Sequence, residues 1–314
     1  MGRQRKRKGE PVHGWLAVDK PVDITSTRVV SILKRLFNAQ KTGHGGTLDP
    51  LANGILPIAF GEATKTAQWA MDCDKEYVFT IEWGGSTASQ DKEGEIVARS
   101  DVRPGRSEIE AVLPTFLGEI EQVPPKYSAI KIQGERAYDL VREGEEFEIP
   151  SRAVTVYEVE LQAIPDIDHA TIRVVSGKGF YVRAMARDLA QMLGAEGHVS
   201  ALRRTRVGAL DEHNALSLAQ LEDMITDRES LLATLQPLET VLDDIPQLDI
   251  DDSDAAALKQ GREIVLLPHL VEKWRTDKTN DNDDRLALAR CAGQAVALGE
   301  VRAGRFQPSK VFQL

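Results

Sequence analysis

YVFTIEW, residues 77–83, places Tyr77, Phe79, Ile81 and Trp83 at every second position. Large apolar side chains at period two mark a strand with one face in a core. AVTVYEVELQAI (153–164) and HATIRVVS (169–176) are rich in β-branched residues and read as further strands. EIVAR (95–99) reads as the hairpin partner of 77–83 across a polar loop, and WLAVDKP (15–21) as a short strand stopped by Pro21. Helical patterns fall between these strands. ITSTRVVSILKRLFN is capped by Thr25 or Ser26, and its stripe is Val29, Ile32, Leu33, Leu36 and Phe37. FYVRAMARDLAQMLG carries Val182, Met185, Leu189, Met192 and Leu193 at helical spacing. Residues 106–117, 217–225 and 228–235 are expected helices, with Pro114 a weak point in the first. The prolines of QVPPKYSAIK exclude a helix there, and Tyr127 to Ile132 reads as extended. Strands and helices interleave without regular βαβ units, so the class is α+β rather than a doubly wound sheet.

A chain of 314 residues exceeds one typical domain. Between Pro237 and Pro246 the composition turns acidic, and the pattern resets to what reads as short strands and turns, from AAALKQGREIVLL to AVALGEVRAGRFQPSKVF. A small β-rich second domain is expected there. No apolar run approaches the roughly 20 residues of a membrane helix, and no signal-peptide core follows the basic start, so a cytoplasmic protein is expected. Cys73 and Cys291 are far apart and outside any CxxC, which argues against a disulfide framework or a zinc site.

The net charge of −10 disfavours a nucleic-acid partner only until its distribution is read. Residues 1–45 hold ten basic residues against three acidic ones, and Arg183, Arg187, Arg203, Arg204 and Arg206 form a second group. The acid lies later, in 243–254 and 281–284. This asymmetry points to a basic face for a polyanion and an acidic remainder for solubility.

GHGGTLDPLANGILP, residues 43–57, sets one carboxylate, Asp49, among glycines, a proline and short apolar residues. Spacing alone favours a turn-forming Asp. A metal site finds little support, with His44 the only nearby ligand other than carboxylates. A catalytic carboxylate is the third reading, since glycines 43, 45 and 46 let the backbone lie close to a bulky ligand. Such an acid needs a cation beside it, and Arg183, at a turn opening a helix, is the best candidate; an Arg on a solvated helix face is the alternative.

Taken together, the motifs resemble the TruB family of tRNA pseudouridine-55 synthases. The resemblance rests on GHGGTLDPLANGILP, KEYVFT, QVPPKYSAIKIQGERAYDL, SGKGFYVRAMARDL and LRRTRVG and runs over nearly the whole chain. It departs at Ala88, where the family has an acid, though Asp91 remains. The resemblance implies a pseudouridine synthase fold, with a mixed, largely antiparallel sheet and a small C-terminal PUA-like β-barrel. The implied domains are a basic tail (1–10), a catalytic domain (11–238) and an RNA-binding domain (239–314). It makes Asp49 the catalytic residue and assigns Lys20, His44, Tyr77, Tyr181, Arg183 and Leu202 to substrate binding. It implies no cofactor and no metal. The T-arm stem-loop of tRNA is the implied partner of a stand-alone monomer that needs no protein partner. Two rivals stand beside it: an RNA-binding or RNA-folding protein without chemistry, and a guide-RNA-dependent relative.

Overall fold

Ten strands between Gly14 and Ser217 form one sheet in the computed structural model, which describes residues 9–128, 130–132, 135–136, 147–276 and 285–314. Residues 1–8 of the basic tail, most of the QGERAYDL stretch and the acidic run 281–284 lie outside the described residues. The strands of this unit are β1 (Gly14–Lys20), β2 (Thr42–His44), β3 (Asn53–Phe60), β4 (Lys75–Trp83), β5 (Gly85–Thr87), β6 (Ile96–Arg99), β7 (Gly118–Gln122), β8 (Lys131–Ile132) and β9 (Glu135–Arg136). They continue with β10 (Arg152–Asp166), β11 (His169–Ser176), β12 (Gly197–Val207), β13 (Leu210–Asp211) and β14 (Leu216–Ser217). The sheet runs β14-β1-β3-β12-β4-β11-β10-β7, with β2 added to β3 and β13 to β12. Only β1–β14 and β3–β12 pair in parallel, so the sheet is mixed and largely antiparallel.

YVFTIEW is the centre of β4, but its neighbours are β11 and β12. EIVAR is not its hairpin partner: Ile96–Arg99 pairs with Gly85–Thr87 in a separate two-stranded sheet. Both edges of β4 are already taken, and Ile96 and Val97 stay exposed, so β6 has no apolar face to bring to the main sheet. The parallel contact of β12 with β3 joins Arg203 to Asn53 and Arg204 to Gly54, at the root of the Asp49 loop.

Helix α1 (Ser26–Leu36) starts as expected, the Thr25 hydroxyl accepting from the Arg28 N–H. Next come α2 (Ala67–Asp72) and α3 (Arg106–Val112), the latter ending in a 3₁₀ turn at Leu113–Phe116 around Pro114. Helix α4 (Val182–Met192) buries Val182, Met185 and Leu189, whereas Met192, expected on the same stripe, is exposed. Short helices α5 (Leu218–Asp223) and α6 (Arg228–Ala233) close this part of the chain.

The C-terminal unit is a five-stranded sheet of order β15-β17-β18-β19-β16. It comprises β15 (Gln247–Asp249), β16 (Ile264–Val265), β17 (Leu286–Cys291), β18 (Gln294–Arg302) and β19 (Arg305–Val311). Short strands and turns were expected from Ala255 to Leu267, but Asp252–Lys259 is a helix, α7; Pro268–Thr276, for which no element was expected, is a second one, α8. Asp251 caps α7 by accepting from the Asp254 N–H at 2.8 Å, and Asp252 and Asp254 complement the positive end of its dipole. The acidic run that was expected only to lend solubility is therefore partly a helix start. Trp15, Ile55 and Val207 of the large sheet share one apolar cluster with Leu288, Leu298 and Phe312 of the small one.

Candidate active site

The loop from Gly45 to Ala52 is fixed before its acid is considered. Gly45 sits so close to Ala70 and Trp15 that a Cβ would fall 2.5 Å from the Ala70 methyl, and Gly46 has φ +126°. The Ser26 hydroxyl accepts from the Leu48 N–H and donates to the Leu48 carbonyl, both at 2.9 Å. The Ala52 N–H closes a turn on the Asp49 carbonyl at 3.1 Å. Leu48 and Leu51 are buried on either side, leaving the Asp49 side chain 37% exposed between them. Asp49 does form a turn, then, but its carboxylate is not used in holding it.

Two cations hold the loop from beneath. Arg204 donates from Nε to the Ile55 carbonyl at 2.7 Å and from its two terminal nitrogens to Thr47 and Gly46 at 3.3 and 3.2 Å. Lys20 is fully buried; its ammonium donates to the carbonyls of Pro21 and Ile24, both at 2.9 Å, and of Pro50 at 3.4 Å. Burial pulls the Lys20 pKa down to about 8, opposed first by the charge of Asp49.

Above the loop stands Arg183, in the first turn of α4 and buried. Gln122 of β7 clasps the backbone just before it, accepting from the Tyr181 N–H at 2.7 Å and donating to the Tyr181 carbonyl at 3.1 Å. One terminal nitrogen of Arg183 meets Asp49 Oδ2 at 2.8 Å and the Tyr127 carbonyl at 3.1 Å. The other meets Asp91 Oδ2 at 3.2 Å and the Ser89 carbonyl at 3.1 Å. Asp91 is itself buried and accepts from Ser89 Oγ at 2.5 Å and the Glu93 N–H at 3.1 Å. Arg183 is thus the shared cation of two carboxylates, one buried and one open to a cleft of about 590 Å³. Charge-assisted bonds of this kind fix geometry, and removing one partner of a buried pair costs about 3–5 kcal/mol.

Asp49 and Arg183 line that cleft together. Tyr181 and Lys20 lie near enough for the Asp49 charge to act on both; burial pushes the Tyr181 phenol up. Tyr77, His44 and Leu202 are not lining residues of the cleft. Tyr77 lies on β4 opposite Arg204 of β12, half-buried, and Leu202 is buried opposite Phe79. His44 ends β2, and its pKa is lowered by burial and then by Arg204. A larger cavity of about 930 Å³ lies between residues 10–14, the 232–239 segment and β17–β18, and shares no lining residue with the Asp49–Arg183 cleft.

The second arginine group does not form an open basic face. Arg183 and Arg204 are interior. Arg203 pairs with Asp19 through two 3.0 Å contacts and with Glu212 at 2.6 Å, and Arg187 pairs with Asp188. The exposed cations of the described N-terminal part are Arg28, Lys34, Arg35 and Lys41. Sequence reasoning kept Asp91 only as a surviving motif acid and missed Gln122 and Ser26. The signal for Asp91 was an acid in SQDKEG, a turn already expected between two strands.

Two family models match the chain: "TruB family pseudouridylate synthase (N terminal domain)" over residues 34–182 and "tRNA pseudouridylate synthase B C-terminal domain" over residues 183–243. A "tRNA pseudouridine synthase B" of Caulobacter vibrioides is 54% identical over 310 residues, covering 99% of each chain. One of Bradyrhizobium diazoefficiens is 48% identical over 317 residues, covering 100% of this chain and 89% of that protein. Among solved structures, a Cbf5-Nop10-Gar1 complex superposes with a TM-score of 0.72 at 27% identity, over 96% of this chain and 85% of the other. The chain belongs to the TruB family, and its architecture is the pseudouridine synthase fold with a PUA-like C-terminal domain.

Proposed function

We propose, with TruB membership as the premise, that this chain isomerises uridine-55 in the T arm of tRNA to pseudouridine, and that Asp49 is the reacting carboxylate. The observation that carries the reading is the 2.8 Å pair between Asp49 and the buried Arg183 at the wall of a cleft. The reaction breaks the bond from N1 to the ribose and makes one from C5 to the same carbon. The C5 proton leaves to solvent and N1 gains a proton, so the product is an isomer and no cofactor or metal is required. Asp49 acts on the ribose side, by attack or by taking a proton, and either act needs an ionised carboxylate aimed by a fixed partner. Arg183 supplies that aim because Asp91, Ser89 and Tyr127 hold its other contacts.

The target base must leave its stack, at a cost of a few kcal/mol. Phosphate contacts from the exposed Arg28, Lys34 and Arg35 offset that cost. Tyr77 serves as a stacking platform, worth about 1–3 kcal/mol per base. Tyr181 bounds the pocket once a nucleotide opens it, Leu202 packs behind it, Lys20 braces its floor, and His44 fills space in the opened arm. Residues 11–238 carry the chemistry, 239–314 help to hold the RNA, and the 1–10 tail adds cations. The chain works as a monomer in the cytoplasm without a protein partner. The test is tritium release from 5-labelled uridine in a bare tRNA transcript, with Asp49→Asn as the control. Turnover by the isolated wild type alone supports the reading. Equal release by both proteins, or release only with a guide RNA and added proteins, refutes it.

A further inference from the structure

Among the described residues lining the Asp49 cleft, Arg183 is the one cation beside four acidic residues: Asp49 and Asp91, and the exposed Glu93 and Glu95. Two of these are bound to the guanidinium. The other two make no ion pair with it and need another reason to be there. Glu93 is placed by its backbone, its N–H donating to Asp91 Oδ1 at 3.1 Å, while the Gly94 N–H donates to the Asp91 carbonyl at 3.3 Å. The turn is closed tightly: a Cβ on Gly94 would fall 2.4 Å from Ser89 Oγ. Burial raises the Glu93 carboxyl, Asp91 and Asp49 raise it further and Arg183 opposes them, so its charge is coupled to the groups of the cleft.

A guanidinium in a cleft is by its chemistry a phosphate site, since its planar fork matches a phosphate's oxygens. RNA brings a phosphodiester on each side of every nucleotide. When Asp49 engages the ribose, its edge of Arg183 opens to the nearest anion. We propose that Glu93 is a specificity-determining residue that keeps phosphate off Arg183, reserving the guanidinium for Asp49. Glu95 extends the same negative charge toward the rim. The cleft then admits the uncharged base and ribose and holds the phosphodiesters outside. This rests on reading the cleft as the place where an RNA nucleotide reacts.

The experiment compares full-length wild type, Glu93→Gln and Glu93→Asp in calorimetric titrations with inorganic pyrophosphate, and repeats tritium release with pyrophosphate present. Anion binding elsewhere on the surface is common to all three proteins and cancels. Glu93→Gln is expected to bind pyrophosphate about tenfold tighter, the effect of one nearby like charge at partial exposure, and to be inhibited at correspondingly lower concentration. Glu93→Asp, which keeps the charge, stays like wild type. Equal pyrophosphate affinity in Gln variant and wild type overturns the proposal, as does an equal gain in the Gln and Asp variants. A gain confined to Glu93→Gln in a chain that makes no pseudouridine leaves the anion barrier standing and removes the proposed function instead.

Discussion

Arg183 and Arg204 are two buried arginines that bind one loop, and they hold it by different means. Arg204, beneath, gives its hydrogen bonds to the carbonyls of Gly46, Thr47 and Ile55. Its acceptors are neutral and belong to the backbone, so what it contributes is shape. Arg183, above, divides its guanidinium between Asp49 and Asp91 and fills its remaining directions with two carbonyls. One of its partners faces solvent in a cleft, so what it contributes is aim at a site. Burial and residue type are the same in the two regions; the partner decides whether the arginine is scaffold or machinery.

The comparison breaks most visibly at Asp49. Asp49→Asn is expected to lower pseudouridine formation at least about 10⁴-fold, some 5 kcal/mol of barrier, with tRNA retention on filters within a few-fold of wild type. A residual rate within tenfold of wild type means the upper region has no chemical role. Arg183→Lys comes next, with kcat down about 10²–10³-fold, because an ammonium cannot bridge two carboxylates as a planar fork does. Its melting temperature should fall less than that of the lower variant; the reverse order would make Arg183 scaffold too.

Arg204→Met removes donors from three carbonyls and should cost about 2–3 kcal/mol in denaturant unfolding, with activity lost in step as the loop loosens. Unchanged stability with lost activity would move Arg204 into the machinery. The smallest effect concerns Lys75, another carbonyl-bound buried cation, which donates to the Met71 and Cys73 carbonyls and which burial brings down to about 8. Below pH 8 both folded and unfolded chains hold its proton. From there to the unfolded value of 10.5 only the unfolded chain does, so folded stability rises with pH across that window. The stability difference between wild type and Lys75→Met should therefore shift in favour of wild type by on the order of 1 kcal/mol over the window. A flat difference would show that Lys75 resembles Arg204 in charge as well as in bonding.

The upper region was the more legible in the sequence. Asp49 stands in a long, ordered motif, and Arg183 opens a helix whose apolar stripe can be counted. Arg204 was legible only as charge. It was grouped with Arg203 and Arg206 as a face for polyanions, because LRRTRV shows arginines without showing that β12 runs between two strands. Interior position is a property of sheet order, which periodicity does not encode. The same gap explains EIVAR, a credible strand assigned to the wrong neighbour. In the C-terminal unit α7 was read as strands and turns because its apolar content is low and the cap at Asp251 sits within an acidic run, and the α8 segment was given no element.

Ile55 of β3 ties the Arg204 region to the second sheet. Its carbonyl accepts from Arg204, while its side chain lies in the cluster shared with Leu288, Leu298 and Phe312. The C-terminal unit is therefore no detachable handle. A shortened chain ending near residue 240 would uncover that cluster, and with it the packing of Trp15 and Ile55 on which the footing of the Asp49 loop rests.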